Sequence, residues 1–138
     1  AGTSRDKLLE RLRCPPPKVF RLPGVVETRL IETWVHHEDV RRVERAAPRP
    51  SDAEIEPALW RALRLVARRA SVPPSTAVVL RSTRGRIRIS RGAQGEVEVT
   101  GPPGELLLFA MGRHPYAHVD ISGDPVAVRR VQHGTALL

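Results

Sequence analysis

Apolar residues in the first half of the chain recur every three or four positions, which is the period of an α-helix. This pattern predicts three helices, at residues 4–13, 24–45 and 57–70. In the third helix Leu59, Leu63 and Val66 share one face, which we expect to pack on a core. Prolines separate the helices, because proline lacks an N–H donor and disfavours helix at the residue before it.

After residue 76 the period changes to two, and polar and apolar residues alternate. Such alternation is typical of a sheet with one covered and one solvated face. The predicted strands lie at residues 76–82, 86–90, 96–100 and 117–122. Glycines in the connections TRG and RGAQG indicate short hairpin turns, so we expect the first three strands to form a meander. An apolar helix is predicted at 101–113, with Gly112 in its C-terminal cap position, and a last helix begins near Pro125.

This order of elements predicts an α+β fold. We expect a partial helical-bundle segment first, followed by an antiparallel or mixed sheet that helices cover on one face. The Pro-rich segment 46–52 divides the chain into two predicted domains, 1–47 and 48–138. The apolar block ELLLFAM (105–111) is expected to fill the space between sheet and helices as core.

Composition and charge narrow the range of functions. The 138 residues include 23 Lys and Arg against 15 Asp and Glu, giving a net charge of +8, and such an excess is typical of nucleic-acid binders. However, the basic residues are scattered along the chain, and only two Phe, two Trp and one Tyr are present to stack on bases. Nucleic acid is therefore not the expected partner.

The cysteine content, the apolar runs and the start of the sequence bear on the cellular location of the protein. The single Cys14 has no second cysteine for an internal disulfide, which favours a reduced, cytoplasmic setting. No apolar run reaches the roughly 18 residues that a membrane span needs. The sequence neither begins with Met nor has an apolar signal core, so we expect the interior of a longer chain or a processed product.

The segment ETWVHHEDVRR (32–42) concentrates side chains that bind metals or transfer protons. On a helix that turns by about 100° per residue, Glu32, His36 and Asp39 form one stripe. Valines flank this stripe, so we expect it to face inward. The arc expected to be exposed carries Glu38, Arg41 and Arg42.

Two interpretations of this stripe remain open. Glu32 and His36, at i and i+4, are near enough to bind one metal ion, and Asp39 can accept the second imidazole N–H and fix its tautomer. Alternatively, the three side chains only hydrogen-bond to each other, with water or an arginine completing the set. Because two ligands do not make a metal site, the residues by themselves favour the second interpretation. His37 is expected to be exposed or to lie between domains.

The same segment, ETWVHHEDVRRV, resembles the last-helix segment of the DinB/YfiT-like four-helix-bundle metalloproteins. GPPGELLLFAMGR followed by AHVDISGDPVAV resembles the C-terminal, sterol-carrier-protein-like α+β domain of one actinobacterial branch, the branch similar to mycothiol-dependent maleylpyruvate isomerase. The two matches together cover nearly all of residues 18–138, and their joint order is more specific than either match.

This resemblance implies that Glu32 and His36 bind a divalent ion, zinc or nickel, and that Asp39 orients them. It implies a third ligand, a histidine on an earlier bundle helix, yet no histidine precedes His36. The missing bundle helices would come from the parent chain or from a partner chain, and a homodimer is one candidate arrangement. The implied reaction is a transfer or isomerisation of a small-molecule substrate that uses a low-molecular-weight thiol such as mycothiol. The full-length form would carry it out, and these 138 residues alone would be inactive.

Two other functions compete with this one. The domain 48–138 resembles carrier domains that hold a small apolar ligand between sheet and helices. The arginine-rich surface could instead make the chain an interaction domain for acidic partners. The other histidines share no face with His36 and are expected at the surface or in packing: His114, His118 and His133. Arg113 is expected to cap the helix before it, with anion binding as the alternative.

Overall fold

The α+β prediction is confirmed. The computed structural model describes residues 22, 24–50, 52–70, 73–90 and 94–133. Within these ranges the chain forms four helices and one four-stranded mixed sheet, and helices pack against the sheet. The helix predicted at 4–13 and Cys14 lie outside the described residues.

The described elements lie close to their predicted positions. The helices are α1 (Val25–Val43), α2 (Glu56–Ala67), α3 (Pro103–Ala110) and α4 (Pro125–His133). The strands are β1 (Ala77–Ser82), β2 (Gly85–Ser90), β3 (Glu96–Thr100) and β4 (Asp120–Gly123). No helix among the described residues combines the length and hydrophobicity needed to cross a bilayer.

The sheet order is β2-β1-β3-β4, so the predicted three-strand meander is wrong. β1 pairs with β2 in antiparallel orientation but with β3 in parallel orientation. The chain that leaves β2 therefore passes the end of β1 before it enters β3. Two backbone hydrogen bonds hold this crossing: Gln94 N–H to the Ser75 carbonyl at 3.0 Å, and Ala77 N–H to the Gly95 carbonyl at 2.9 Å. The alternation in the sequence predicts which face of the sheet each side chain occupies, but it does not predict which strands are neighbours.

The core lies between one face of the sheet and the helices. The inward residues of the two central strands are buried: Val78, Leu80, Val97 and Val99. α2 buries its predicted face against them, and Leu106, Leu107 and Leu108 of α3 are also buried, as expected for the ELLLFAM block. The opposite sheet face carries arginine–glutamate pairs between strands, such as Arg81–Glu98 at 2.9 Å, and Ala77 and Val79 on this face are also buried.

The end of α3 matches the predicted cap. Gly112 has φ +82, in the left-handed region that glycine adopts without strain. Its N–H donates to the Phe109 carbonyl at 3.0 Å. Arg113 Nη1 donates to the carbonyl of Met111, the C-cap residue, at 2.7 Å, so the capping role predicted for Arg113 is confirmed.

Candidate functional site

Helix α1 packs on the α+β core through the face that carries Ile31 and Val35. Glu32 and His36 lie on the other side and are exposed, so the prediction that their stripe faces inward is wrong. Apolar residues occur on both sides of α1, and the sequence pattern therefore does not identify its buried face. Tertiary contacts determine which face of α1 is buried, because Ile31 and Val35 reach the shared core.

Glu38 was expected to be exposed, but it is only 1% exposed. Three arginines donate to its carboxylate. Oε1 accepts from Arg49 Nε at 2.6 Å and from Arg41 Nη1 at 2.9 Å, and Oε2 accepts from Arg42 Nε at 3.0 Å. A buried carboxylate is stable only when it is paired in this way. The prediction of an exposed Glu38 is therefore wrong.

Arg42, also predicted to be exposed, joins α1 to α3, and its side chain is 7% exposed. Its guanidinium donates to both oxygens of Glu105, from Nη2 at 2.5 Å and from Nη1 at 3.2 Å. It also donates to the carbonyl of Tyr116. Glu105 in turn accepts the backbone N–H of His118 at 2.8 Å. Arg42 thus bridges two buried carboxylates, Glu38 and Glu105.

The pKa shifts agree with this pairing. Burial raises the pKa of Glu38, but hydrogen bonds from the three guanidinium groups and the charge of Arg42 outweigh it, so the pKa lies below its ordinary value of 4.5. Burial lowers the pKa of Arg42, but its contacts with Glu105 and Glu38 outweigh that effect and raise the pKa. Glu38 and Arg42 are therefore both ionised at neutral pH.

Only some of the ion pairs around Glu38 could be predicted from the sequence. Arg41 and Arg42 follow Glu38 by three and four positions, a spacing that favours pairing on a helix. Arg49 and Glu105 reach the network only through the tertiary fold, and no local pattern connects them to Glu38.

Asp39 is bound to Arg113. Arg113 donates to both oxygens of the Asp39 carboxylate, from Nε at 3.2 Å and from Nη2 at 3.0 Å. Beside this pair lies a cavity of about 230 Å³ between α1 and the chain that follows α3. In this structure Asp39 therefore holds α1 to the α+β core, and its predicted contact with His36 stays a prediction.

Glu32 and His36 lie on an exposed face of α1. Glu32 accepts one hydrogen bond from exposed Arg29 at 3.2 Å. Two large apolar side chains that follow His36 by four and seven positions on α1, Val40 and Val43, are also exposed. Within the part of the chain that the structure describes, no group of three or more His, Cys, Asp or Glu side chains could hold a metal ion. The spacing of Glu32 and His36 fits two ligands of a divalent ion, and a third must come from elsewhere.

The remaining histidines differ in environment. The ring of His114 stacks on Phe109 with centroids 4.3 Å apart, which fits its predicted packing role. Burial lowers the pKa of His114, although hydrogen bonds to the backbone of Phe109 and Val131 partly offset this. His37 is exposed, as predicted, and its Nδ1 lies 2.7 Å from Arg49 Nη2.

No protein-family model matches the chain, and comparisons with the curated proteins and with solved structures give no match either. The resemblance to the DinB/YfiT-like metalloproteins therefore stays a prediction.

Proposed function

We propose that the exposed face of α1 is one wall of a divalent-metal site and that Glu32 and His36 supply two of its ligands. The observation that carries this proposal is the contrast between these two residues and their neighbours. Glu38 and Asp39 are held by arginines, whereas His36 makes no hydrogen bond or ion pair with any described residue. The pair of Glu32 with Arg29 is exposed, and exposed pairs contribute only about 0–1 kcal/mol, so a metal ion can displace it.

The apolar side chains around this pair indicate that protein covers the face in the working molecule. Val40 is 60% exposed and Val43 is 78% exposed, and both lie near His36 on the helix. Large apolar side chains that are exposed near each other on a helix are consistent with a contact with another protein segment. We propose that the covering segment consists of the remaining bundle helices and that it brings the third ligand.

The chemistry that such an ion supplies when bound is Lewis acidity, which lowers the pKa of a coordinated thiol. This chain would contribute the imidazole of His36, the side chain of Glu32 and the helix that carries both. The ion pairs Arg42–Glu105 and Arg113–Asp39 join this helix to the α+β core. The activity that we propose for the complete protein is a transferase or isomerase reaction that uses a low-molecular-weight thiol.

The test is the metal content of the longest product of the gene, measured by elemental mass spectrometry after gentle purification. We expect about one divalent ion per chain, and its loss in His36→Ala and in Glu32→Ala. His133→Ala, at an exposed histidine on α4, is the matched control and should keep the ion. A wild-type protein without metal, or a His36→Ala variant with unchanged metal content, contradicts the proposal.

The carrier interpretation is not favoured by the packing. It needs an apolar cavity between sheet and helices, but Leu106, Leu107 and Leu108 are fully buried in that space. We therefore propose no lipid-carrying role.

A further inference from the structure

The outer edge of β2 takes no part in the proposed metal site. β2 is the first strand in the order β2-β1-β3-β4, so no other strand in the described part of the chain pairs with its outer edge. A groove of about 440 Å³ lies between this edge and α2. We call it the edge groove, and no acidic residue lines it. An unpaired strand edge beside a groove is a place where an extended peptide can bind.

The backbone of β2 directs hydrogen-bonding groups outward at alternate residues. A two-residue turn joins β1 to β2, and the residues that close it, Ser82 and Gly85, bond to each other. Along an antiparallel pair, residues that exchange hydrogen bonds alternate with residues that do not. Counted from the turn, Gly85 and Ile87 therefore bond to β1, whereas the N–H and C=O groups of Arg86 and Arg88 point away from β1. Both arginines border the edge groove, so these backbone groups can bond to an added strand.

The side chains of Arg86 and Arg88 lie on the opposite face of the sheet, where they contact Glu98 at 3.9 Å and Glu96 at 3.2 Å. These two glutamates belong to β3, whose sequence EVEV alternates acidic and apolar residues. The glutamates of β3 lie on the face that carries the arginines, and its valines are buried in the core. β3 therefore shows the kind of strand that matches the side chains of this sheet.

The edge groove combines apolar side chains with positive charge. Trp60, Ile87 and Ile89 line it and are only half-buried. Two arginines also line it, Arg64 in the last turn of α2 and Arg68 at its C-cap. Both are exposed and form no ion pair with any described residue. Basic residues at the end of a helix complement its dipole, but that role leaves their guanidinium groups available to an acidic partner.

We propose that the edge groove binds an extended segment of another protein, in which acidic and apolar residues alternate, and that this segment adds to β2 as a further strand. In this mode of recognition, backbone hydrogen bonds provide affinity and side-chain contacts provide specificity. The apolar side chains of the segment contact Ile87, Ile89 and Trp60. Its acidic side chains lie beside Arg86 and Arg88, as the glutamates of β3 do, and the unpaired arginines of α2 attract it to the groove.

A second copy of this chain does not fit the same edge. If β2 paired with β2 of another copy, the arginines of the two strands would face each other, and like charges directly opposite destabilise a strand pair. Charged residues on an edge strand are a common device against such pairing. A nucleic-acid strand would match the charge, but it lacks the regular peptide N–H and C=O groups that pair with a strand edge. An acidic peptide satisfies both requirements.

The test is a fluorescence-anisotropy titration of a labelled peptide, about eight residues of alternating glutamate and valine, with the full chain at about 150 mM salt. We expect saturable one-site binding. The control peptide has the same sequence with N-methylated backbone amides, so it keeps the charge but cannot donate hydrogen bonds to β2. It should bind at least about tenfold more weakly.

A pair of variants at Arg88 tests the edge from the side of the protein. Arg88→Pro removes an outward N–H, whereas Arg88→Ala removes the same guanidinium group and keeps that N–H. Proline is tolerated on an edge strand where the N–H faces solvent, so both variants should fold, which circular dichroism checks. We expect Arg88→Pro to bind the peptide about tenfold more weakly than Arg88→Ala. If Arg88→Pro does not fold, the N-methylated peptide still decides the question.

The charge contribution of α2 is tested separately. Arg64→Glu/Arg68→Glu should weaken peptide binding by about fivefold or more. The matched control Arg129→Glu/Arg130→Glu, at two exposed positions on α4, should stay within about twofold of the wild type.

Four results overturn the proposal: no saturable binding of the peptide, equal affinity for the two peptides, equal loss in both double variants, or a single-stranded oligonucleotide of the same charge that binds as tightly. None of these variants alters the candidate metal pair, so the result is independent of the metal measurement.

Discussion

Glu38 shows how one side chain can hold a helix in place. Removing a carboxylate from water costs several kcal/mol, and three guanidinium groups offset that cost here. If the carboxylate is removed, Arg42 stays buried with one of its two acidic partners missing. The stability of α1 on the core therefore depends on Glu38 in its ionised form.

We predict that Glu38→Ala lowers the free energy of unfolding by about 3 kcal/mol at neutral pH, measured by urea denaturation. Glu44→Ala, at an exposed position, is the control and should change it by less than about 0.5 kcal/mol. Because the folded state lowers the pKa of Glu38, its contribution is present above the unfolded pKa and is lost as pH falls through the folded pKa. The difference between wild type and Glu38→Ala should therefore shrink below about pH 4.5, and a constant difference would contradict this explanation.

Among the elements, the positions of the strands were easier to predict than the pairing of the strands in the sheet or the orientation of the helices. The alternating segments 86–90 and 96–100 correspond to Gly85–Ser90 and Glu96–Thr100, because strict alternation has no competing helical interpretation. The parallel pairing of β1 with β3 could not be predicted, since alternation says nothing about neighbours. The buried face of α1 was mispredicted because its valines and isoleucine occur on both sides.

The contact of α1 with α3 depends on one glycine. A Cβ at Gly104 would lie 2.6 Å from Cζ2 of Trp34, so the indole of α1 can approach α3 only when position 104 lacks a side chain.

We predict that Gly104→Ala lowers the free energy of unfolding by about 1–2 kcal/mol, because the clash outweighs the gain in helix propensity. In a Trp34→Leu background the clash disappears, and the same substitution should be neutral or stabilising. Chemical denaturation of the four proteins in this double-mutant cycle provides the measurement. An equal loss in both backgrounds would show that the contact with Trp34 is not the cause.

At the scale of the whole molecule, α1 and the α+β domain share one core. Ile31 and Val35 belong to the same buried cluster as the residues of α2, α3 and the sheet. The candidate metal pair was visible in the sequence as a local spacing, whereas the contacts of Arg49 with Glu38 and of Arg42 with Glu105 were not.

We predict that the chain unfolds in one cooperative transition and that Ile31→Ala lowers the free energy of unfolding by about 3 kcal/mol. Far-UV circular dichroism and the fluorescence of Trp34, measured in a Trp60→Phe background, should give the same midpoint. Val43→Ala, at an exposed position of α1, is the control and should leave that midpoint nearly unchanged. A separate, earlier transition of Trp34 would instead support a domain boundary between residues 47 and 48.

From the mixed sheet we expect a particular order of folding. β1 and β2 are joined by a two-residue turn, and hairpins of this kind form in about 1–10 μs. β3 must instead bring Glu96 beside Ala77, and the contact of Arg42 with Glu105 joins residues 63 positions apart. Because the entropy lost on closing a loop grows with its length, we expect the hairpin to form before these longer-range contacts. During synthesis α1 therefore leaves the ribosome before α3, to which Arg42 joins it.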